Sequence, residues 1–278
     1  MTGPDFDYFC KLMRDRSGLV LSASKAYLVR GRLEPVARAA GLADVETLLA
    51  KLRSGAPDDL IRQCVDAMAT HESSFFRDGA PFEQLGKTVL PALIGQRRAS
   101  RRLRIWCAAC SSGQEPYSVA MILKENAQLA GWNLEIVATD MSEAILTKAR
   151  SGLYSDFEVR RGLAPERLAR WFEPSGQGGE WRVLPALREI VSFRPHNLLQ
   201  GVAGLGVFDI ILCRNVLIYF DVERKREVFA HLDRALADDG ILCLGSSETV
   251  LGVVETFAAA EGARGLYRKA DQRHAVAS

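Results

Sequence analysis

Four short apolar runs, each ending in small or polar residues, constrain the fold of this chain more than any other feature of its sequence. They are LRIWCAAC (103–110), LEIVATD (134–140), VFDIILCRN (207–215) and GILCLGS (240–246). Helical stretches lie between successive runs, and continuous apolar strands that alternate with helices are typical of a parallel sheet covered on both faces. The sequence therefore predicts an α/β, Rossmann-like fold with a doubly wound sheet.

The first 70 or so residues differ from the rest because they show helical periodicity and no convincing strand. Asp44 precedes the third helical segment, where an N-cap residue is expected. The apolar positions of the four segments are Phe6, Phe9, Leu12 and Met13; Leu28, Leu33, Val36 and Ala37; Val45, Leu48, Leu49 and Leu52; and Leu60, Ile61, Cys64, Val65 and Met68. We expect residues 1–78 to form a small all-α N-terminal domain with the start of a linker.

Residues 79–278 are expected to form the larger second domain, because 278 residues suffice for one small and one larger domain. Within it, residues 152–195 break the alternation of strands and helices. This stretch holds a Pro/Gly turn cluster, PSGQGGEW (174–181), followed by a strand-like WRVL. We expect a small β insert there.

Composition excludes several classes of protein. The formal net charge of +2 gives no argument for a nucleic-acid partner, and no apolar run approaches the roughly 18 residues of a membrane span. The first ten residues hold two acids and no apolar stretch, so we expect no secretory signal there. Most of the six cysteines lie in apolar runs, which favours a reducing, cytoplasmic location over a disulfide framework.

A metal site is not expected. Cys107 and Cys110 have the spacing of a metal or redox pair, but no second cysteine or histidine pair accompanies them. The four histidines show no ligand spacing either.

The turn after the first apolar run indicates what kind of ligand the sheet binds. Ligands of doubly wound sheets bind at the carboxyl ends of the strands. A dinucleotide site needs G-x-G-x-x-G, whereas this turn has only Gly113. Asp140 ends the second run, 27 residues after Gly113, where an acid accepts hydrogen bonds from ribose hydroxyls. The combination favours a nucleoside without a pyrophosphate; the alternative is that Asp140 only caps the following helix.

The third run leads into CRNVLIYFD (213–221), which places polar groups at the same edge of the sheet. The alternative is a polar strand end followed by a core aromatic pair. Together with WCAACSSGQEPYS, ATDMS, RPHNLL, GILCLGSSE and HESSFFRD (71–78), this motif resembles the family of CheR-type chemotaxis receptor methyltransferases. The resemblance covers nearly the whole chain.

This resemblance implies a class I methyltransferase sheet and S-adenosyl-L-methionine as the cofactor, with S-adenosyl-L-homocysteine as the product. The implied reaction is transfer of a methyl group to glutamate side-chain carboxylates of methyl-accepting chemotaxis receptors, for sensory adaptation. The implied partner region is the cytoplasmic helical part of the receptor. Whether a C-terminal receptor tether docks on the insert stays open.

The resemblance also implies roles for residues of the linker and the first two strand ends. Ser73 and Arg77 would reach the methionine end of the cofactor, with Arg77 pairing its carboxylate. Glu115 would contact the cofactor in the first turn, and Asp140 would hold the ribose. His71 stands where the family often has Asn or a similar small polar residue, so it is either a cofactor contact or an ordinary linker side chain.

Further roles fall on the later motifs. Asn197 and Leu198 in HNLL would flank the adenine, while Asn215 and Val216 in CRNV would line the cofactor pocket near the reacting end. Tyr219 would close the pocket nearby, which makes it one of two candidate catalytic residues.

The second candidate catalytic residue is Arg98, chosen from its position in an arginine-rich stretch before the first run. A glutamate carboxylate is ionised at neutral pH and is already the nucleophile, so no general base is required. Holding that carboxylate in line with the methyl group can lower the barrier by roughly several kcal/mol. Arg98 would recruit the substrate carboxylate; the alternative is that the stretch is only a soluble linker.

The partner surface is expected in the N-terminal domain. Residues 11–38 carry seven basic residues against two acids, either as a solvated helix face or as a docking surface for acidic receptor helices. Two alternative functions stay open at this point. One is a methyltransferase of the same fold that acts on another signalling protein or a small acid, since fold does not fix substrate. The other is a non-catalytic adaptor that senses S-adenosylmethionine or a nucleotide.

Overall fold

The structure, a computed structural model, describes residues 3–176, 178–260 and 263–270. The described residues form two compact units: those up to Thr70 together with Tyr219–Lys225, and those of His71–Ile218 together with the residues from Arg226 onward. The first division, after Thr70, falls before the expected boundary at residue 78. None of the helices in the described ranges is both long and apolar enough to span a membrane.

The first unit contains four α-helices, as its periodicity predicts. Their bounds are α1 Pro4–Ser17, α2 Ala26–Ala39, α3 Val45–Gly55 and α4 Asp58–Met68. Asp44 is the N-cap of α3, and its carboxylate accepts a hydrogen bond from the Thr47 N–H at 2.7 Å. The Thr47 hydroxyl also donates to this carboxylate, and the two hydrogen bonds hold the pKa of Asp44 below its usual range. The expectation of a small all-α domain is confirmed.

The buried face of α2 is rotated slightly from the predicted one. Val29, Leu33 and Ala37 are buried, whereas Leu28 and Val36 are only half-buried. The i, i+4, i+8 spacing of the buried residues gives one continuous apolar stripe along the helix. Periodicity therefore located the helix correctly, and two of the four predicted inner positions, Leu33 and Ala37, are buried.

The segment Tyr219–Lys225 completes the first unit by contacting α1. Gly18 is the C-cap that follows α1 and has the left-handed φ of 77°, and a Cβ there would lie 2.6 Å from the Phe220 ring. Arg14 of α1 forms ion pairs with Asp221 and Glu223. This part of the chain is thus a structural component of the helical unit, although it is distant in sequence.

The second unit is built on a seven-stranded sheet with the order β6-β2-β1-β7-β8-β10-β9. Its strands are β1 Arg102–Ala108, β2 Asn133–Asp140, β6 Val191–Pro195, β7 Phe208–Cys213, β8 Leu236–Leu244, β9 Phe257–Ala259 and β10 Leu266–Lys269. The neighbouring pairs from β6 to β8 are parallel, and β10 is antiparallel to both β8 and β9. The four predicted runs are the four adjacent central strands β2, β1, β7 and β8, which confirms the predicted fold class.

Further helices precede the first strand or lie between the strands in the sequence. They are α5 Ala80–Gln84, a π-helical turn at Leu85–Val89, α6 Leu90–Gln96, α7 Gln114–Glu125, α8 Glu143–Ser151, α9 Asp156–Arg160, α10 Pro165–Trp171, α11 Pro185–Arg188 and α12 Val222–Ala235. Helix α7 follows β1 directly, so its first turn lies at the carboxyl end of the central strand. That is the end at which such sheets bind ligands.

The predicted β insert is present as a separate three-stranded antiparallel sheet, whereas the last residues of the predicted range 152–195 form β6 of the main sheet. It consists of β3 Leu153–Ser155, β4 Phe172–Ser175 and β5 Glu180–Val183, in the order β3-β5-β4. Tyr154 of β3 packs edge-to-face against Phe75, and its hydroxyl donates to the Ser112 carbonyl at 2.7 Å. The insert is thereby attached to the turn between β1 and α7.

The contact between Gly18 and Phe220 gives a testable prediction for the first unit. We expect Gly18→Ala to lower the free energy of unfolding by about 2 kcal/mol or more, because a left-handed φ and a crowded Cβ both oppose alanine. Gly41→Ala is the matched control: Gly41 also has a left-handed φ, of 68°, but its Cβ meets nothing within 4 Å. We expect the control to cost only about 1 kcal/mol. Urea unfolding of both variants measures the difference, and equal losses would contradict a role for Phe220.

Candidate active site

The turn between β1 and α7 is tightly bent and contains small residues. Ala109 and Ser111 have positive φ values of 61° and 51°, which non-glycine residues rarely adopt and which cluster at functional sites. Gly113 has a φ of 94°, and a Cβ there would lie 2.9 Å from the Tyr154 hydroxyl oxygen and 3.1 Å from the Ala149 Cβ. The single glycine thus serves close packing.

Asp140, the last residue of β2, joins the first two strand ends. Its Oδ2 accepts a hydrogen bond from the Ser111 N–H at 2.9 Å, and its Oδ1 accepts one from the Ser142 N–H at 3.1 Å. The residue is buried. Ser142, and not Asp140, is the N-cap of α8, because the Ser142 hydroxyl accepts from the Ile145 N–H. The alternative that Asp140 merely caps this helix is therefore wrong.

The linker 71–78 lies against the same turn. The Ser111 hydroxyl donates to the His71 carbonyl at 3.0 Å, and the Phe76 N–H donates to the Ser118 hydroxyl at 3.0 Å. Phe76 and Asp78 have positive φ values of 48° and 70°, so the linker is bent sharply here. The linker is thus attached to the β1 turn at His71 and to α7 at Phe76.

Arg214 directly follows β7, and its buried guanidinium connects the linker 71–78 to helix α7. Its side chain is 1% exposed, and its guanidinium donates to Glu115, Asp78 and the Arg77 carbonyl, each at 2.8 Å. The guanidinium also lies 5.2 Å from the centre of the Phe82 ring. Burial raises the pKa of Glu115 above its ordinary value, and the neighbouring Arg214 offsets only part of that rise.

Sequence reasoning missed Arg214 as a site residue because the motif drew attention to Asn215 beside it. A signal was present: an arginine directly after the apolar run IILC (210–213) needs a carboxylate partner if it is buried.

The loop after β7 was expected to line the cofactor pocket. Asn215 has a positive φ of 56°. The carboxylate of Glu248, from the loop after β8, accepts hydrogen bonds from the N–H groups of Asn215, Val216 and Leu217 at 2.7–2.9 Å. Glu248 is a second residue that sequence reasoning missed; its only signal was its place in the GSSE motif.

The segment expected at the adenine lies beside Asp140. The His196 N–H donates to the Asp140 carbonyl at 2.9 Å, and burial lowers the pKa of His196. Asn197 accepts the Leu199 N–H through its side chain at 3.0 Å, while Leu198 is buried. The adenine-flanking candidates thus share the edge of the sheet with the ribose candidate.

Of the two candidate catalytic residues, Arg98 lies away from these loops. Arg98 is exposed in the turn before β1, at the amino end of that strand, whereas the strand-end loops above follow carboxyl ends. Tyr219 belongs to the first compact unit, where its carbonyl accepts the Val20 N–H at 3.0 Å. The expected recruiting role of Arg98 therefore finds no support in the geometry.

The chemistry available at these loops is that of binding and positioning. No group of three or more potential metal ligands occurs among the residues that the structure describes. All six cysteines are free thiols, and Cys107 and Cys110 are buried. A strand-end acid with spare acceptor capacity, a turn of small residues and a linker arginine fit an adenosyl cofactor that carries a carboxylate.

Comparison with known protein families agrees with this arrangement. A model described as the CheR methyltransferase SAM binding domain matches residues 71–266, and one described as the CheR methyltransferase all-alpha domain matches residues 4–69. The fold and the site thus define an S-adenosylmethionine-dependent methyltransferase. The chain belongs to the CheR methyltransferase family. The predicted family, enzyme class and methyl donor are confirmed.

Individual relatives are similar over almost their whole length. The chain is 41% identical over 270 residues to chemotaxis protein methyltransferase 1 of Pseudomonas aeruginosa, which covers 96% of this chain and 97% of that protein. It is 40% identical over 257 residues to chemotaxis protein methyltransferase Cher2 of Pseudomonas putida, covering 91% and 93%. The relatives therefore share both parts of this chain and not the methyltransferase sheet alone.

The buried ion pair of Arg214 and Glu115 gives a prediction for stability. We expect Arg214→Met to lower the free energy of unfolding at neutral pH by about 3 kcal/mol, because Glu115 loses its buried partner. The pKa of Glu115 then rises further above its unfolded value. A carboxyl group with a raised folded pKa favours folding when protonated, so the loss should be smaller at pH 5 than at pH 8.

Urea unfolding at both pH values measures this dependence. The double variant Arg214→Met, Glu115→Gln is the control, because it removes the buried charge together with its partner. It should regain part of the stability and lose the pH dependence. An equal loss at both pH values in the single variant would show that Glu115 does not respond to Arg214.

Proposed function

We propose that this chain transfers the methyl group of S-adenosylmethionine to glutamate side-chain carboxylates of chemotaxis receptors, and so takes part in sensory adaptation. The observation that carries the proposal is the match of both parts of the chain, residues 4–69 and 71–266, to one methyltransferase family. The relatives named chemotaxis methyltransferases support the same conclusion. The products are the glutamate methyl ester and S-adenosylhomocysteine.

Asp140 is proposed to bind the ribose hydroxyls of the cofactor. Each of its carboxylate oxygens accepts one backbone N–H, and a carboxylate offers about four acceptor positions in all. Acceptor capacity therefore remains for two hydroxyl donors. The backbone hydrogen bonds also fix the direction of the carboxylate before the ligand arrives, which lowers the entropic cost of binding.

Arg77 and Ser73 are proposed to bind the methionine end. The Arg77 guanidinium donates one N–H to the Glu72 carbonyl at 2.8 Å. A guanidinium has five N–H donors in a planar fork, so a bidentate contact to a carboxylate is still available. Glu115 is proposed to contact the cofactor at the start of α7, and His71 at the start of the linker.

The remaining contacts follow from the later strand ends. Asn197 and Leu198 are proposed to flank the adenine, and Asn215 and Val216 to line the pocket near the reacting methyl group. The closeness of His196 to Asp140 supports a continuous ribose and adenine site. The role of Tyr219 in closing the pocket stays a prediction.

The proposed mechanism relies on positioning. S-adenosylmethionine supplies an electrophilic methyl group, and the receptor glutamate is ionised and nucleophilic at neutral pH. The protein needs to hold the attacking oxygen and exclude water. In well-oriented systems such positioning lowers the barrier by about 7 kcal/mol or more. The bent loops, held by Arg214 and Glu248, suit this task because their conformation is set before the substrates bind.

The receptor surface is proposed to lie on the first unit, in the basic stretch 11–38. Several of its arginines are engaged within the unit: Arg14 with Asp221 and Glu223, Arg30 with Glu46, and Arg38 with Glu34. These pairs lower the net positive charge that the stretch presents. Lys11 and Lys25 are exposed, so the proposal rests most on them.

The insert is proposed as a second docking site for a receptor tether. Strands β3 and β4 are the edges of its three-stranded sheet, and an extended peptide can add to such an edge by backbone hydrogen bonds.

Calorimetry tests the cofactor site. We expect the wild-type protein to bind S-adenosylhomocysteine and Asp140→Asn to bind it at least about tenfold more weakly, because the loss of a charged acceptor costs about 1.5–3 kcal/mol. Asp238→Asn is the control, since Asp238 is an exposed aspartate paired with Lys269 in the same unit. No binding by the wild-type protein would refute the proposed function.

Methyl transfer to a receptor fragment tests the substrate. We expect labelled methyl groups from S-adenosylmethionine to appear on a receptor cytoplasmic fragment and to be released by mild base, as esters are. A fragment whose candidate glutamates are replaced by aspartate controls for side-chain length. Binding of the cofactor product without any transfer would favour the non-catalytic adaptor instead.

A further inference from the structure

Glu248 makes an unusually large number of backbone hydrogen bonds for one side chain. Its Oε2 accepts the N–H groups of Asn215 and Gly245, both at 2.8 Å. Its Oε1 accepts those of Val216 at 2.9 Å and Leu217 at 2.7 Å. The residue is buried, so these hydrogen bonds are shielded from water, and hydrogen bonds to a carboxylate are stronger than neutral ones. One carboxylate thus satisfies four backbone donors from the loops after β7 and β8.

Three of the four donors are consecutive in sequence, and this fixes the course of the β7 loop. Successive N–H groups converge on one anion only when the backbone between them takes a nest-like conformation. Asn215 has the left-handed φ of 56° that such a conformation requires of one residue. Without the anion, three neighbouring N–H groups would converge on one position where there is no acceptor. The bent shape of the loop therefore depends on the charge of Glu248.

Gly245 provides the room for this arrangement. A Cβ at position 245 would lie 2.6 Å from the Glu248 Oε2, 2.9 Å from the Asn215 backbone nitrogen and 3.0 Å from the Asn215 Nδ2. The Asn215 side-chain amide therefore lies directly against the residue that shares its anion. Gly245, Glu248 and Asn215 form one packed cluster, which we call the β7–β8 clamp.

We propose that Glu248 is a positioning residue of the methyltransferase: through the β7–β8 clamp it sets the conformation in which Asn215 and Val216 meet the cofactor. This inference rests on the proposed function, in which those two residues line the pocket near the reacting methyl group. Glu248 does not itself touch the cofactor in this scheme. It acts because the direction of the Asn215 side chain follows from the backbone that the carboxylate holds.

The substitution Glu248→Gln tests the charge with little change of shape. The amide offers one acceptor oxygen and turns its NH₂ donors toward two backbone N–H groups, so at most half of the hydrogen bonds survive. We expect the affinity for S-adenosylhomocysteine to fall about tenfold and kcat to fall about 100-fold, since a misplaced contact near reacting atoms has effects of this size. The KM for the receptor fragment should not change.

Glu255→Gln is the matched control, because Glu255 is an exposed glutamate seven residues further along the chain. It should behave as wild type. Hydrogen exchange supplies a local readout: in Glu248→Gln the amides of residues 215–217 and 245 should exchange faster, while those of β1 and β2 stay protected. Glu248→Asp keeps the negative charge and should retain more affinity than the Gln variant, and it serves as the test if the Gln variant does not fold.

A double-mutant cycle separates positioning from general stability. If Glu248 acts through Asn215, then Glu248→Gln should add little to the loss of affinity already caused by Asn215→Ala. Full additivity of the two losses would overturn the proposal. So would wild-type affinity and kcat in Glu248→Gln when its 215–217 amides exchange faster. Absence of S-adenosylhomocysteine binding in the wild-type protein would instead refute the proposed function itself, which keeps the two failures distinct.

Discussion

The rest of the second unit depends on the ion pairs formed by the buried guanidinium of Arg214. It lies at the carboxyl end of a central strand and contacts the linker through Asp78 and the first helical turn of α7 through Glu115. A buried charge with one partner removed is costly, so each of these segments is needed to keep the others in place. Three parts of the chain that are distant in sequence are thereby assembled around one cation. These charged groups all belong to the protein, so the electrostatic environment of the loops is established before a ligand binds.

Strained backbone accompanies this assembly. Of the six non-glycine residues described with positive φ, five lie in the linker, the β1 turn or the β7 loop. Such conformations persist only where surrounding contacts determine them. Here the contacts are hydrogen bonds that backbone N–H groups donate to charged or hydroxyl side chains, such as those of Asp140, Ser118 and Glu248. A ligand that binds to these loops meets groups already ordered, so little conformational entropy is lost on binding.

The sequence predicted the central strands, the helical domain and the insert because apolar periodicity reports directly on burial. It did not reveal β6, an edge strand whose residues are only half-buried or exposed, so that its apolar pattern is weak. Asp140 could be proposed from the sequence because an acid at a strand end has a recognised use. Arg214 and Glu248 were not, since their importance comes from partners that the fold alone brings together. Arg98 was chosen from charge clustering, which does not distinguish one end of a strand from the other.

The path of the chain between the two units has a consequence for how such a protein is divided into modules. The chain passes from one unit to the other three times, after Thr70, Ile218 and Lys225. The all-alpha family match ends at residue 69, yet Phe220 fills the space beside Gly18, and two acids from the same late segment neutralise Arg14. A fragment cut at the family boundary would expose an aromatic-sized gap and an unpaired arginine. Recombination between relatives would therefore have to exchange the N-terminal domain and the YFDVERK heptapeptide together, as one inherited set.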